Sequence, residues 1–505
     1  MQTDRVVVVG AGIAGLVAAL DLAARGLDVL VLERAATPGG KLRQITIDGR
    51  AIDAGPTVFT LKRVFEALFD EIGERLDRHL TLRPLDLLAR HAWDARARLD
   101  LFASVARSAD AIGRFAGAAE ARGYLDLAAR ARKMFETLDA PFMRNPKPSP
   151  LSLVAAAGPR AMLGVSPFTT LWRALGAHFQ DPRLRQLFGR YATYSGASPF
   201  QCPATLMLIA HVEQDGVWAV DGGMHRIARV LEALITARGG RVRYGAHVAA
   251  IMVADGRARG VRLADGEQIA ADAVICNADA AALATGLLGP DAARAMGRAA
   301  APRSLSAVTW TMLARAEGFP LPRHSVFFGP DYAEEFDAVF ERGVLPRQPT
   351  VYVCAQDRDD AATAPDGPDR LLCLVNAPAI GDQRDFSESE IEQCTSASFD
   401  LLARCGLTLQ RDPATTVLTT PREWNALFPA TGGALYGPAL HGWNSSFQRP
   451  TAATRLPGLF LAGGSVHPGP GVPMAALSGR MAAQAALAST LRSRAAVMPG
   501  GMSMR

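Results

Sequence analysis

The alternation of apolar runs with glycines opens the chain as strand, turn, helix and strand. Val6 to Val9 are an unbroken apolar run, the pattern of a parallel strand covered on both faces. Glycines follow at positions 10, 12 and 15, then an apolar helical stretch that Gly26 ends. Val29 to Leu32 predict a second strand, closed by Glu33. Residues 222–244 read as turn, amphipathic helix, turn and strand. Residues 246–279 alternate around Asp255-Gly256 and Asp265-Gly266, which predicts a hairpin meander and then a buried strand from Ala273 to Cys276. Asn277-Ala278-Asp279 are expected to cap the helix that follows. Near the C-terminus, Leu459 to Leu461 predict a short strand, Gly463-Gly464 its end, and Val472 the start of a last helix.

Gly10, Gly12, Ile13, Ala14 and Gly15 form a GxGxxG turn between strand and helix. The first glycine permits the tight turn, the second lets a pyrophosphate approach the backbone, and the third lets helix pack against strand. Free N–H groups and the dipole at the helix N-terminus then face the phosphates. Glu33, about twenty residues on, has the position of a carboxylate that accepts from adenosine ribose hydroxyls. Arg34 follows it, and a second glycine pair, Gly39-Gly40, carries Lys41, Leu42 and Arg43. That pair would lay more N–H groups and a cation beside a long diphosphate, which FAD requires and NAD does not.

The loop before the last helix, GGSVHPGPGVP, restricts its own backbone with three prolines. Such a loop suits one end of a flavin. The N-terminus of the helix at Val472 would face the pyrimidine end and favour negative charge there on reduction. His467 has two readings, a catalytic base and, favoured, a turn residue that shapes the pocket. No other acid–base pair stands out.

Composition narrows the classes. The chain has 505 residues, which implies at least two domains, and 49% of them are hydrophobic. The net charge of +5 comes almost wholly from scattered arginine, since the lysines are Lys41, Lys62, Lys133 and Lys147. With no basic block, nucleic acid is not an expected partner. Six cysteines without CxxC spacing argue against a disulfide framework or zinc site, and no metal is expected. His211-Val-Glu213 lacks the PCxxC partner of a zinc deaminase. The N-terminal apolar run, about fifteen residues, is too short to span a bilayer. Segment 141–175 mixes Arg144, Lys147, Arg160 and Arg173 with Phe142, Phe168 and Trp172, which suits either a peripheral membrane contact or a buried helical lid. Segment 357–370 reads as a solvated loop.

The glycine pair and basic residue after the acid resemble the glutathione-reductase-type FAD families. Residues 53–60, DAGPTVFT, are similar to a sequence that the bacterial phytoene-desaturase family of carotenoid desaturases places near the flavin, with Asp53, Gly55, Pro56 and Thr57 matching. The C-terminal motif matches that family at Gly463, Gly464, His467, Pro468, Gly469, Gly471, Val472 and Pro473. Ser465 stands where many wider FAD relatives have aspartate. The runs DAGPTVFTLKRVFEALF, LTLRPLDLLARHAWD, DPRLRQLFGRYATYSGASPF and HVEQDGVWAVDGGMHRIARVLEAL look like the hydroxyneurosporene desaturase group, also called methoxyneurosporene dehydrogenases.

The resemblance implies an α/β fold, a Rossmann FAD-binding domain with β-meander plus a discontinuous mixed α/β substrate domain. The FAD-binding domain is expected from 1–70, 215–295 and 420–495, and the substrate and membrane-associated domain from 71–214 and 296–419. Residues 496–505 are expected to be a flexible tail. In this family the backbone near Val248 meets the adenine. The implied activity is 3,4-desaturation of acyclic 1-hydroxy or 1-methoxy carotenoids, by hydride transfer to flavin N5 and proton loss. Its setting would be spheroidene or spirilloxanthin synthesis in a phototrophic bacterium, peripheral to the cytoplasmic face of the inner membrane, with oxygen or a quinone as electron acceptor. Rival readings on the same scaffold are a phytoene desaturase, a carotenoid isomerase or ketolase, and a prenyl-lipid escort protein without redox chemistry. An amine oxidase would need an aromatic cage or covalent flavin site, for which the sequence gives no clear sign.

Overall fold

The structure is a computed structural model that describes residues 4–158, 164–166, 168–297 and 302–497. Strand Arg5–Val9 lies at the centre of a five-stranded sheet, between Asp28–Leu32 and Ala273–Cys276. Arg241–Arg243 and Leu459–Leu461 form its edges, and every pairing is parallel. Side chains alternate between two cores, as strand geometry dictates. Val6, Val8, Val29, Val31 and Ile275 pack against helices Ile13–Ala24, Arg226–Ala237 and Val472–Val497. Val7, Val9, Leu32, Val274 and Cys276 face the meander Val248–Ala254, Arg257–Leu263 and Gln268–Ala270. The first and last helices touch backbone to backbone: a Cβ on Gly479 would lie 2.2 Å from the Ala14 carbonyl oxygen.

A second, eight-stranded sheet takes its strands from the intervening segments. Its order is Thr408–Gln410, Ser306–Glu317, Asp369–Ala377, Val351–Ala355, His324–Phe327, Leu87–Ala92 and Arg98–Phe102, with Thr416–Thr419 also on Ser306–Glu317. Helices between residues 105 and 214 cover one face and Glu388–Arg404 the other. The two units meet through Asp53. Its carboxylate accepts from the Met224 N–H at 2.6 Å, while the Gln356 side chain bonds both its N–H and its carbonyl, at 3.0 and 2.8 Å.

Three expectations need correction. Of the three residues expected to cap, only Asp279 does so, accepting from the Ala281 N–H at 3.0 Å; Asn277 instead donates to the Ala462 carbonyl at 2.9 Å and ties two strand ends together. The loop 357–370 is solvated only in its middle, because Arg358 and Asp369 form a buried ion pair across its base. The last helix continues to Val497, two residues into the expected tail; the rest of that tail, 498–505, and Arg160 lie outside the described residues.

Candidate active site

One continuous cavity of about 840 Å³ runs from the N-terminal glycines to the space between the second sheet and the helices over it. At its first end, backbone meets backbone. Gly12 pairs with Gly39 as an isolated parallel bridge, and the Gly39 N–H donates to the Ala11 carbonyl at 2.8 Å. A Cβ on Gly40 would lie 3.1 Å from the Gly12 Cα, one on Gly15 2.2 Å from the Gly10 oxygen, and one on Gly55 1.9 Å from the Lys41 oxygen. Side chains at these positions would force the backbone segments apart, so the cradle offered to a dinucleotide pyrophosphate is a close crossing of bare backbone. Glu33 borders this end, its carboxylate accepting from the Ala11 and Ala35 N–H groups at 2.7 and 2.8 Å. Val248 lines the same end beside Ala246 and His247, at a bulge in the meander.

Every cofactor residue expected from the sequence except Gly15 lines this cavity: Gly10, Gly12, Ile13, Ala14, Glu33, Arg34, Gly39, Gly40, Lys41, Leu42, Gly55, Pro56, Thr57, Val248, Gly463, Gly464, Gly471, Val472 and Pro473. Gly15 lies behind it, as its packing role requires. Lys41, a cation expected beside the diphosphate, behaves differently from expectation. The Lys41 ammonium donates to the Leu435 carbonyl at 2.7 Å, and burial lowers its pKa; Arg34 donates to the Ala426 and Leu427 carbonyls. Both hold the 426–435 segment over the cavity rather than standing free for a phosphate.

At the C-terminal end, Gly463, Gly464 and Ser465 leave the strand and Gly471 to Ala475 bring the helix N-terminus to the cavity wall. Ser465, in the place of an aspartate, accepts from the Ala280 N–H at 3.0 Å and joins the two strand-end loops. His467 is not brought to the cavity. Its Nε2 bonds the Phe142 carbonyl at 3.0 Å, its ring meets the Phe142 ring edge-on, and burial lowers its pKa. A base so placed cannot reach a reacting carbon; the residue shapes the turn.

Sequence reasoning missed Arg449. Its buried guanidinium donates to the Gly464, Tyr436 and Pro438 carbonyls at 2.8, 3.0 and 2.8 Å, and burial lowers its pKa to about 10. It fastens the flavin-side loops to each other. A lone arginine 14 residues before the motif at Gly463 carries no pattern that would have marked it.

The second sheet and the helices above it wall the rest of the cavity. Thr57 Oγ1 lies 2.6 Å from the Tyr352 hydroxyl, which also meets His324 Nδ1 at 2.8 Å. Burial lowers the His324 pKa to about 3 and raises that of Tyr352, so both stay neutral. Glu213 accepts from the hydroxyls of Tyr191, at 2.7 Å, and of Tyr194. Beyond this polar group the wall is apolar, with Met143, Leu153, Val165, Leu206, Leu440 and Phe447.

The family model of flavin containing amine oxidoreductases matches residues 13–487. Over 513 aligned residues the chain is 57% identical to a hydroxyneurosporene desaturase of Rubrivivax gelatinosus, with 100% of this chain and 98% of that one covered. A hydroxyneurosporene desaturase of Cereibacter sphaeroides is 45% identical over 487 residues, 96% of this chain and 97% of that one. The chain belongs to the flavin containing amine oxidoreductases, in their carotenoid desaturase branch. Its cofactor is FAD, and it is an FAD-dependent oxidoreductase. A solved structure of putrescine oxidase bound to putrescine shares the fold at a TM-score of 0.59 and 16% identity, over 96% of this chain and 99% of that one.

In this carotenoid desaturase one carboxyl beside the cavity is unusual. Glu335 is buried, accepts from the Thr350 N–H and hydroxyl at 3.1 and 2.7 Å and from Asn376 at 2.7 Å, and burial raises its pKa from 4.5 to about 7. Between those values the folded protein keeps a proton that the unfolded chain has released. Stability therefore falls as pH rises from about 4.5 to 7. Glu335→Gln should flatten this part of a melting-temperature profile; an unchanged slope would show that another group titrates.

Proposed function

We propose that the protein catalyses the 3,4-desaturation of acyclic 1-hydroxy or 1-methoxy carotenoids, such as hydroxyneurosporene, as a step of spheroidene or spirilloxanthin synthesis in a phototrophic cell. The observation that carries this reading is the 57% identity to a hydroxyneurosporene desaturase along the entire chain. The cavity supports it, because a wall apolar for most of its length suits a polyene.

FAD, when bound, supplies the hydride acceptor at N5. Gly12, Gly39, Gly40 and Gly55 offer it backbone, and Glu33 the ribose contact. The chain's remaining work is placement and exclusion of water. A substrate that loses hydride from C4 and a proton from C3 spreads positive charge along its polyene, so C3 is acidic without a strong base. Tyr352 and His324, both neutral, suit a site with that low demand.

Segment 141–175 supports a peripheral membrane contact. Leu151 and Phe168 are 83% and 80% exposed, and Trp443, half exposed, lines the cavity and packs on Phe168 at 5.4 Å between ring centroids. Arg144, Lys147 and Arg173 are exposed nearby in sequence, as an anionic cytoplasmic leaflet would favour. No described helix is long and apolar enough to cross a membrane. A carotenoid would then enter from the lipid, and oxygen or a membrane quinone would take the electrons.

The test is an anaerobic visible spectrum of the purified holoprotein with 1-hydroxyneurosporene in anionic liposomes. Carotenoid bands should move to the red while the flavin bleaches, and the protein should float with the vesicles. A flavin that stays oxidised with this substrate but bleaches with phytoene would replace the substrate reading. Protein that remains at the bottom of the gradient would remove the membrane contact.

A further inference from the structure

We propose that Arg190 reads the oxygen on C1 of the substrate, an inference that rests on the function proposed above. Arg190 begins the turn Arg190–Ser195 and lines the cavity. Its guanidinium lies 5.3 Å from the Tyr194 ring centroid and 5.6 Å from that of Tyr352. The Tyr352 hydroxyl in turn meets Thr57, next to the Gly55-Pro56 backbone of the cofactor cradle. One aromatic ring thus separates the guanidinium from the loop beside the flavin site.

The charge of Arg190 is not used up by the fold. Arg358 is paired with a carboxylate, and Arg449 is fixed on three carbonyls. Arg190 forms no ion pair within 4 Å with any described residue. Glu213, the carboxylate whose field it feels, is occupied by the Tyr191 and Tyr194 hydroxyls. The Tyr194 hydroxyl beside it can take one of the five guanidinium donors, and a buried cation is costly unless something completes the rest of its hydrogen bonds.

Substrate geometry selects this place. Four bonds separate the C1 oxygen from C4, so in an extended chain they lie roughly 5 Å apart. With C4 at the flavin, the oxygen must be read close to the flavin site, and a group at the cavity mouth would be too far. Guanidinium carries donors only. A tertiary alcohol and a methyl ether both present an oxygen that accepts, so one donor serves both substrates. The same polyene without oxygen leaves guanidinium donors facing the cavity unmet, and it is rejected for that reason.

The experiment compares the wild type, Arg190→Lys and Arg190→Met as FAD-loaded enzymes on three carotenoids of one polyene length: 1-hydroxy, 1-methoxy and oxygen-free. kcat/KM is measured for each, and dissociation constants are read from tryptophan quenching. Arg190→Met should lower the preference for oxygenated over oxygen-free substrate by about 10- to 100-fold, in binding as well as in kcat/KM. Arg190→Lys, with fewer donors in another geometry, should keep part of the preference and serves if the methionine variant does not fold. Equal losses on all three carotenoids would overturn the proposal and give Arg190 to the cofactor or the fold. A wild type that turns over only the oxygen-free polyene would overturn the proposed function itself, and this inference with it.

Discussion

Arg358→Met is expected to destabilise the protein by about 3–5 kcal/mol, seen as a lower midpoint in chemical denaturation of the FAD-loaded enzyme. Arg358 Nε and Nη2 meet the two Asp369 oxygens at 2.7 and 2.9 Å, and Nη2 also donates to the Ala316 carbonyl at 3.1 Å. The two side chains are 5% and 2% exposed. Removing the cation leaves a carboxylate sealed among strands Ser306–Glu317, Val351–Ala355 and Asp369–Ala377, with neither water nor a counter-charge. The loss is mostly that orphaned charge rather than the net worth of the pair. The double variant Arg358→Met with Asp369→Leu should therefore recover most of the stability. The neighbouring Arg370–Asp357 pair, at 2.6 Å but 29% and 15% exposed, is solvated enough that breaking it costs less. A single variant as stable as the wild type would show that Asp369 finds another partner.

This pair also marks where sequence reading stops. DRDDAATAPDGPDR is polar, and polarity alone reads as solvated loop. That Arg358 and Asp369 turn inward depends on the strand ends they join, and Ser306–Glu317 lies some 50 residues away in sequence. The flavin domain was far more legible, because its signals are local. An apolar run fixes a parallel strand, a glycine triplet fixes the turn, and Asp-Gly fixes each hairpin. Asp255 and Gly256 both adopt positive φ, at 51° and 67°, as a two-residue hairpin turn requires. The substrate cavity draws on residues that only the fold assembles: Arg190 from one turn, Glu213 from a short helix, Tyr352 from a strand. Each is ordinary in its own element. Glu213 stands beside His211 in a motif that lacks a metal partner, and its role shows only where the Tyr191 and Tyr194 hydroxyls meet it. His467 is the converse case, a chemically suggestive residue in a flavin motif that points away from the cavity.

Gly55→Ala should strip the enzyme of flavin and lower its stability by about 3 kcal/mol or more. At some tight glycines, Gly12 and Gly223 among them, the neighbour is a side chain that can turn aside. Here a Cβ would meet the Lys41 carbonyl oxygen at 1.9 Å, the Lys41 carbonyl carbon at 3.1 Å and the Arg43 nitrogen at 3.3 Å. All three are backbone. The crossing cannot open without moving Lys41, and Lys41 is fixed by its bond to the Leu435 carbonyl. It also continues directly into Gly40, whose Cα side rests on Gly12. A displacement of a few tenths of an ångström at Gly55 therefore passes to the pyrophosphate cradle in one direction and to Thr57 and Tyr352 in the other. Flavin content, read as the ratio of absorbance at 450 and 280 nm after purification, should fall by tenfold or more on the order of a binding loss of about 1.4 kcal/mol or greater. Gly113→Ala is the matched control. It lies within helix Val105–Ala116, where the added Cβ meets only the Ala121 Cβ at an ordinary 3.5 Å. Alanine there should stabilise by up to about 1 kcal/mol through helix propensity, with flavin content unchanged. If Gly55→Ala retained its yellow colour and its stability, the close crossing of residues 41 and 55 would not be what holds the cofactor cradle in shape.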